Sequence, residues 1–228
     1  MQGVVIQGPT DYCRDILPDY KDIDNVIVST WDGEPEENID FIISLDIPII
    51  QSPKPTTPGH LNVNMQAMSS YAGINILKTL GVTEVLKIRN DIKVSNITKF
   101  LEALKGDKLS FLALAKEGVR TDLAYSLGYM HYSHDYPVDL VVYGDIDEVG
   151  KAFNFQSPPG LVAPPEALIM YNWCIENNIE FNLNYKYLLN QGVSFFMDRC
   201  LENNIQLDWV KRGFDIVETH KDKTYYNY

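Results

Sequence analysis

The sequence predicts a single α/β domain, with a mostly parallel central sheet flanked by helices. Three observations predict it. Short β-branched runs alternate with helical patterns through the first two thirds of the chain, the order that produces a parallel sheet covered on both faces. The runs end in polar clusters, Gln7-Gly8-Pro9, Ser29-Thr30-Trp31, Arg89-Asn90-Asp91 and Gly144-Asp145. Ligands of such sheets sit beyond the C-terminal strand ends. The chain has 228 residues, 45% of them hydrophobic, with no internal repeat, which suits one large domain.

The elements follow in order. Gly3 to Ile6 is a first buried strand, closed by Gln7-Gly8-Pro9. Thr10 caps a short helix through Leu17, with Asp11 in its first turn, and Pro18 ends it. Asn25 to Ser29 is a second strand, Glu36 to Ser44 a helix, and Ile47 to Gln51 a third strand. Three prolines and a glycine make Ser52 to His60 a loop. Leu61 to Leu80 is the longest helical pattern. Leu61, Met65, Met68, Ala72 and Ile76 recur at intervals of three and four, a core-facing stripe, and Gly81 is its C-cap. Glu84 to Arg89 follows as the central strand. Ser95 caps a helix from Asn96 to Leu104. Leu109 to Leu114 and Val138 to Tyr143 are further strands, separated by the tyrosine-rich stretch Tyr125 to Tyr136. Asp145 opens a helix to about Phe153. Pro164-Pro165-Glu166 starts another to about Asn178, with proline in its first turn.

The net charge of −12 argues against a nucleic-acid partner, which would want a basic surface. A few local cations and a divalent metal still suffice for an anionic nucleotide. No apolar run approaches the ~20 residues of a membrane helix, and the start carries no leader pattern, so the expected location is cytoplasmic. Cys13, Cys174 and Cys200 have neither disulfide-framework nor zinc-site spacing, and three thiols outside any disulfide are expected.

Lys87, Arg89 and Asp91 fall at i, i+2 and i+4, which on a strand puts them on one face. Charges on a core strand are costly unless used. They read either as a solvated edge with a local ion pair, or as a site for an anionic ligand held with a metal. The polar ends of the neighbouring strands favour the second reading. Asp91 suits Mn2+ or Mg2+, which prefer oxygen ligands, bridge phosphates and neutralise a leaving diphosphate. One carboxylate is a thin metal site, and Asp145 or Asp147 would complete it. Arg89 and Lys87 suit the phosphates directly, Arg as a planar fork and Lys as a point charge.

Gln7-Gly8-Pro9 stands where α/β proteins touch a nucleotide. Neither GxGxxG nor GxxxxGK[ST] occurs, so dinucleotide hydride transfer and P-loop chemistry lose support. Asp145 and Asp147 read either as an N-cap and a first-turn charge or as a general base or sugar contact. Glu166 carries the same two readings. Asn64 and Gln66, in the first turns of the long helix, either face water or read a base or sugar edge. The rings of Tyr125 to Tyr136 suit a carbohydrate or pack their own loop.

Taken in order, VVIQGP, VIVSTW, the helix with Asn64, Gln66, Ser69, Ser70 and Gly73, VLKIRND, VVYGDIDEV and APPEAL resemble the WavE family of lipopolysaccharide-synthesis glycosyltransferases. The resemblance runs from about Val4 to about Trp173. It implies a GT-A-like (Rossmann-like) fold and transfer of a sugar from a nucleotide-sugar donor, of UDP or GDP type, to a saccharide acceptor. It implies a nucleotide-sugar half over about 1–114 and an acceptor half over about 115–228. Gln7, Gly8, Pro9, Thr30, Trp31, Asn64, Gln66, Lys87, Arg89 and Asp91 become the candidate donor contacts. Asp145, Asp147 and Glu166 become the candidate bases, and direct displacement by one of them would invert the anomeric centre. Arg89 stands where the first aspartate of a GT-A Asp-x-Asp motif belongs, so metal use rests on Asp91. The segment after Pro165-Glu166 is a plainer helix than that family's acidic, aromatic one. Two alternatives stay open: a non-catalytic nucleotide- or glycan-binding module, and a nucleotidyltransferase, which would want a glycine-rich basic loop after the first strand.

Overall fold

The computed structural model describes residues 1–113, 137–163, 165–181, 185–211 and 213–216. The β-branched runs are strands, β4 (Glu84–Arg89) with the expected bounds and β1 (Gln2–Gln7), β2 (Val26–Trp31) and β3 (Ile49–Ser52) one or two residues longer or shifted at their ends. They lie parallel in the order β3-β2-β1-β4. After β5 (Ile92–Val94) come β6 (Leu109–Ala113), β7 (Pro137–Asp145) and β8 (Val193–Phe195). Beyond β4 the sheet continues β7-β6-β8. β7 runs antiparallel to both β4 and β6, while β8 is parallel to β6. The seven-stranded sheet is thus mostly parallel, with β7 reversed. β5 pairs with β9 (Leu207–Trp209), which pairs with β10 (Phe214–Asp215), in a small antiparallel sheet.

Strand alternation sends successive side chains to opposite faces. Val4, Ile6, Val26, Val28, Leu86 and Ile88 bury against one helix layer. That layer holds α1 (Cys13–Ile16), α2 (Glu36–Ser44), α4 (Ile97–Leu104) and α8 (Met197–Glu202). Val5, Ile27, Val85 and Val142 bury against the other. That layer holds α3 (Val63–Thr79), α5 (Ile146–Phe153), α6 (Pro165–Glu176) and α7 (Tyr185–Asn190). Both faces of the sheet are therefore covered, as the alternation requires. Cys13, Cys174 and Cys200 are all buried.

The buried face of α3 differs from the expected stripe. Leu61 and Ile76 are exposed, and Met65, Met68 and Ala72 are half-buried. Val63, Asn64, Gln66, Ala67, Ser69, Ser70, Gly73, Ile74 and Leu77 are the buried set. The reason is close approach. Ser29 Oγ donates to the Ser69 carbonyl at 2.6 Å, and Gly73 lies directly on Val5 of β1. Small polar residues let the helix settle onto the sheet where a leucine stripe would hold it away, so hydropathy periodicity misses this face.

Two expected caps also change partners. Thr10 does not cap the short helix. Its N–H and hydroxyl both donate to Glu34 Oε2 at 2.7 Å, and a 3-10 turn, Thr10–Tyr12, precedes the short α1. Asn96, not Ser95, caps α4, accepting from the Lys99 N–H at 3.0 Å. Ser95 Oγ accepts from the Gln206 N–H instead, tying α4 to the small sheet. Asn96→Ala should cost about 1 kcal/mol of stability, read as a lowered urea midpoint at unchanged slope.

Candidate functional site

The strand register builds the site. Gln7 sits beside both Ser29 and Arg89, and Trp31 beside Ser52, so the polar ends of β1, β2 and β4 lie together. The chain steps outward from β1 to β2 to β3, then returns to place β4 on the other side of β1. That reversal opens a crevice at the C-terminal strand ends. A cleft of about 390 Å³ occupies it.

Its floor is Gln7, Pro9 and Asn90. Asn90 pins the β1 loop, donating its N–H to the Gln7 carbonyl at 2.8 Å and its amide to the Pro9 carbonyl at 2.5 Å. Trp31 forms an aromatic wall, held by its indole N–H on the Met65 carbonyl at 3.3 Å. Gln66 reaches the cleft from α3 and donates to the Asp139 carbonyl at 3.4 Å. Leu61 and Asn62 enter the lining through left-handed backbone (φ +51° and +62°), a conformation that costs energy for non-glycine residues.

Arg89 and Asp91 face each other at the mouth. Arg89 Nε and a terminal nitrogen donate to the two Asp91 oxygens at 2.9 and 2.6 Å. This fork-to-carboxylate pair fixes the guanidinium in place. Lys54 and Lys211 also line the cleft, with Asp11 and Glu34 opposing them. Asn90 belongs to a polar strand-end cluster visible in the sequence, whereas Lys54, Glu34 and Lys211 are not among the sequence candidates. Lys54 did carry a signal, a lone cation between prolines in the Ser52–His60 loop. Lys211 carried none, because only folding of the small sheet brings it round.

Of the other candidate contacts, Gly8 turns the chain between two lining residues. Thr30 is fully buried and is not among the lining residues. Asn64 is buried and structural: its side chain donates to the Thr57 and Ser157 carbonyls, both at 3.0 Å, and accepts the Ser157 N–H at 2.6 Å. Lys87 lies beneath the site and not in it. It is fully buried, and its ammonium donates to the Asp139 carbonyl at 2.6 Å and sits 5.2 Å over the Phe153 ring.

Asp145 and Asp147 are at the opposite end of the sheet. Because β7 is antiparallel, Asp145 pairs with Glu84 at the start of β4. A parallel reading of the strand had placed it with the other C-terminal ends. Asp145 caps α5 by accepting from the N–H groups of Asp147 and Glu148, and Asp147 makes an exposed pair with Lys78. Glu166 is buried in the first turn of α6. Its charge acts on Lys87 and Arg89, and it is not among the described residues that line the cleft. The Tyr125 to Tyr136 stretch lies outside the described residues.

The metal expectation meets a specific obstacle. Both oxygens of Asp91 already accept from Arg89, and among the described residues no three His, Cys, Asp or Glu side chains gather into a cage. The described residues thus offer no protein cage for Mn2+ or Mg2+ at Asp91, and an ion there would draw its other ligands from phosphate oxygens and water.

Burial pushes the Lys87 ammonium down from 10.5 to about 7, with Asp139 pulling the other way. Between those values the unfolded chain holds more protons than the folded one. The contribution of Lys87 to stability therefore rises with pH across this window and is lost as pH falls to about 7. The unfolding free energy of the wild type minus that of Lys87→Met should grow from about pH 7 to about pH 9, by at most about 1.4 kcal/mol per pH unit. Urea titrations of both proteins across that range check the sign.

No protein-family model matches this chain, and no curated protein matches it. The WavE resemblance thus stands on the motifs alone. Solved structures of similar fold do exist. A 4-diphosphocytidyl-2C-methyl-D-erythritol synthase from Anaerococcus prevotii is 13% identical, with 86% of this chain and 87% of that one covered at a TM-score of 0.46. A mannose-1-phosphate geranyltransferase from Thermus thermophilus is 11% identical, covering 92% and 76%, at 0.45. A cytidylyltransferase from Leptospira borgpetersenii is 12% identical, covering 78% and 73%, at 0.44. Among the described residues no helix is long and apolar enough to cross a membrane.

Proposed function

We propose that this chain is a nucleotide-dependent transferase, and that it performs nucleotidyl transfer to a phosphorylated sugar. The crevice position of the cleft supports nucleotide binding. There Trp31 would pack against a base, Gln7 and Gln66 would turn polar groups to its edge, and Arg89, Lys54 and Lys211 would offer charge to phosphates.

The observation that carries the choice of reaction is the placement of the three candidate bases. Glycosyl transfer by direct displacement needs a base to take the proton of an acceptor hydroxyl. Asp145 and Asp147 stand at the far end of the sheet, and Glu166 is buried. A sugar phosphate needs no such base, because its second ionisation lies near pH 6. One of its oxygens attacks the α-phosphorus of a nucleoside triphosphate. The new P–O bond forms as the bond to the β-phosphate breaks, and pyrophosphate leaves. Arg89, held in place by Asp91, would stabilise charge on the phosphates.

Sugar transfer from a nucleotide sugar is the second reading. It is favoured by the loop after β1, Gln7-Gly8-Pro9-Thr10-Asp11, which lacks the cations a triphosphate attracts. One assay separates the two. CTP, UTP, dTTP and GTP are incubated with a sugar 1-phosphate, and UDP- and GDP-sugars with saccharide acceptors, each with and without Mg2+ or Mn2+. Pyrophosphate release that requires the sugar phosphate supports nucleotidyl transfer. Release of UDP or GDP moves the chain to glycosyl transfer. Failure of every nucleotide to raise the melting temperature sinks both.

A further inference from the structure

A second concavity, of about 560 Å³, adjoins the cleft. Its walls are the loop after β3, the middle of α3 and the segment that leaves α5. Lys54 lines both spaces. Tyr71 and Phe155 supply half-buried aromatic surface, while Thr56, Asn154 and Gln156 supply hydrogen-bonding groups. Aromatic surface beside amide and hydroxyl groups is the chemistry that holds a sugar ring, apolar C–H on the ring face and hydroxyls on the amides.

The groove is also selectively free of acid. The chain carries 31 Asp and Glu residues against 19 Lys and Arg, yet none of the described residues lining this groove is acidic and Lys54 is a cation. An anion repelled by most of this surface is tolerated here. The two walls are held together by one buried side chain. Asn64 bonds Thr57 on the loop after β3 and both the N–H and the carbonyl of Ser157 after α5. This makes the groove a preorganised shape, which lowers the ordering cost of binding.

We propose that this groove binds the sugar phosphate, with the ring between Tyr71, Phe155 and the Asn154 and Gln156 amides and the phosphate at Lys54. Lys54 stands on the ridge shared with the cleft and so directs the phosphate toward the nucleotide. The assignment of the co-substrate rests on the nucleotidyl-transfer reading, whereas the binding of a phosphosugar here is measurable without turnover.

The test uses glucose 1-phosphate and glucose as probes, with ligand-observed saturation-transfer NMR on the wild type, Gln156→Ala, Phe155→Ala and Lys54→Ala. Nucleotide-induced thermal shifts are recorded on the same samples, so that failure of the cleft and failure of the groove are read separately. The expected result is transfer to the ring protons of glucose 1-phosphate in the wild type, weakened at least several-fold in Gln156→Ala and Phe155→Ala. Lys54→Ala should lose the preference for glucose 1-phosphate over glucose. Gln156 is exposed, so its variant keeps the test valid if Phe155→Ala misfolds. Unchanged transfer in Gln156→Ala and in folded Phe155→Ala overturns the proposal. So does a wild type that binds nucleotide but neither probe. Probe binding without any nucleotide shift supports the groove and sinks the nucleotide reading instead.

Discussion

Replacing Gly73 with valine should lower the melting temperature by about 6–12 °C. A Cβ at this position meets Val5 Cγ1 at 2.6 Å, Val5 Cγ2 at 3.1 Å and Ser29 Cβ at 3.2 Å. These atoms belong to β1 and β2, in the middle of the parallel half of the sheet, with the opposite helix layer behind them. Neither strand has room to retreat. Overpacking a dense core costs about 1–3 kcal/mol, more when backbone must move, and for a chain of this size each kcal/mol is worth about 2–4 °C. Valine adds two γ-carbons to the clash and belongs at the upper end. Gly73→Ala is the graded comparison. It carries the same Cβ but regains about 1 kcal/mol of helix propensity, so it should fall between wild type and valine. Thermal melts of the three proteins check the order, and a valine variant as stable as wild type would mean that α3 does not lie so close. The same displacement would shift Met65 and Gln66 at the cleft, so nucleotide binding should weaken along with stability.

Replacing Arg89 with alanine should weaken nucleotide binding about 30-fold or more. Truncating one partner of a hydrogen-bonded charge pair across a binding interface, here Arg89 against a phosphate, typically costs about 2–5 kcal/mol, and 1.4 kcal/mol is about tenfold in affinity. The change does two things at once. It removes a cation from the cleft mouth, and it uncovers the Asp91 carboxylate that the guanidinium holds through both oxygens. Asp91→Asn separates the roles. If Asp91 serves to orient Arg89, the asparagine variant keeps nucleotide affinity within about tenfold of wild type. If Asp91 were instead a metal ligand, that variant would lose binding as severely as Arg89→Ala, and the loss would disappear when metal is omitted from both proteins. Calorimetric titrations of the two variants with and without Mg2+ distinguish these outcomes. Wild-type affinity in Arg89→Ala would remove Arg89 from the phosphate site.

Much of the fold was legible because its signals are local. β-branched runs, prolines at helix starts and glycines at helix ends mark elements through the conformations those residues permit or forbid. The span of α2, the bounds of β4 and the Pro165 start of α6 follow from such residues. The cleft was legible for a similar reason: in a parallel array, polar residues just past a strand converge at one end of the sheet. Gln7, Pro9, Trp31, Gln66, Arg89 and Asp91 all line one cleft. What failed was anything dependent on strand direction or close packing. Asp145 follows a strand as plain in sequence as β1, but nothing in VDLVVYGD says which way that strand runs. The buried side of α3 was misread because a helix pressed tightly on a sheet selects for small side chains, and a hydropathy stripe selects for large ones.

The sequence by itself determined that this is an α/β chain with Lys87, Arg89 and Asp91 on its central strand and polar residues at its strand ends. The tertiary structure alone decided how those three charges divide. β4 is covered on both faces, so the side chain two residues before the strand end is sealed in: Lys87 is buried on the Asp139 carbonyl with its proton held weakly. Arg89 lies at the last strand position and Asp91 beyond it, where the helix layer gives way to the crevice, and they meet there as a fork and its carboxylate. Spacing along a strand specifies a shared face. Only the neighbouring strands and helices specify where along that face the protein ends and the cleft begins.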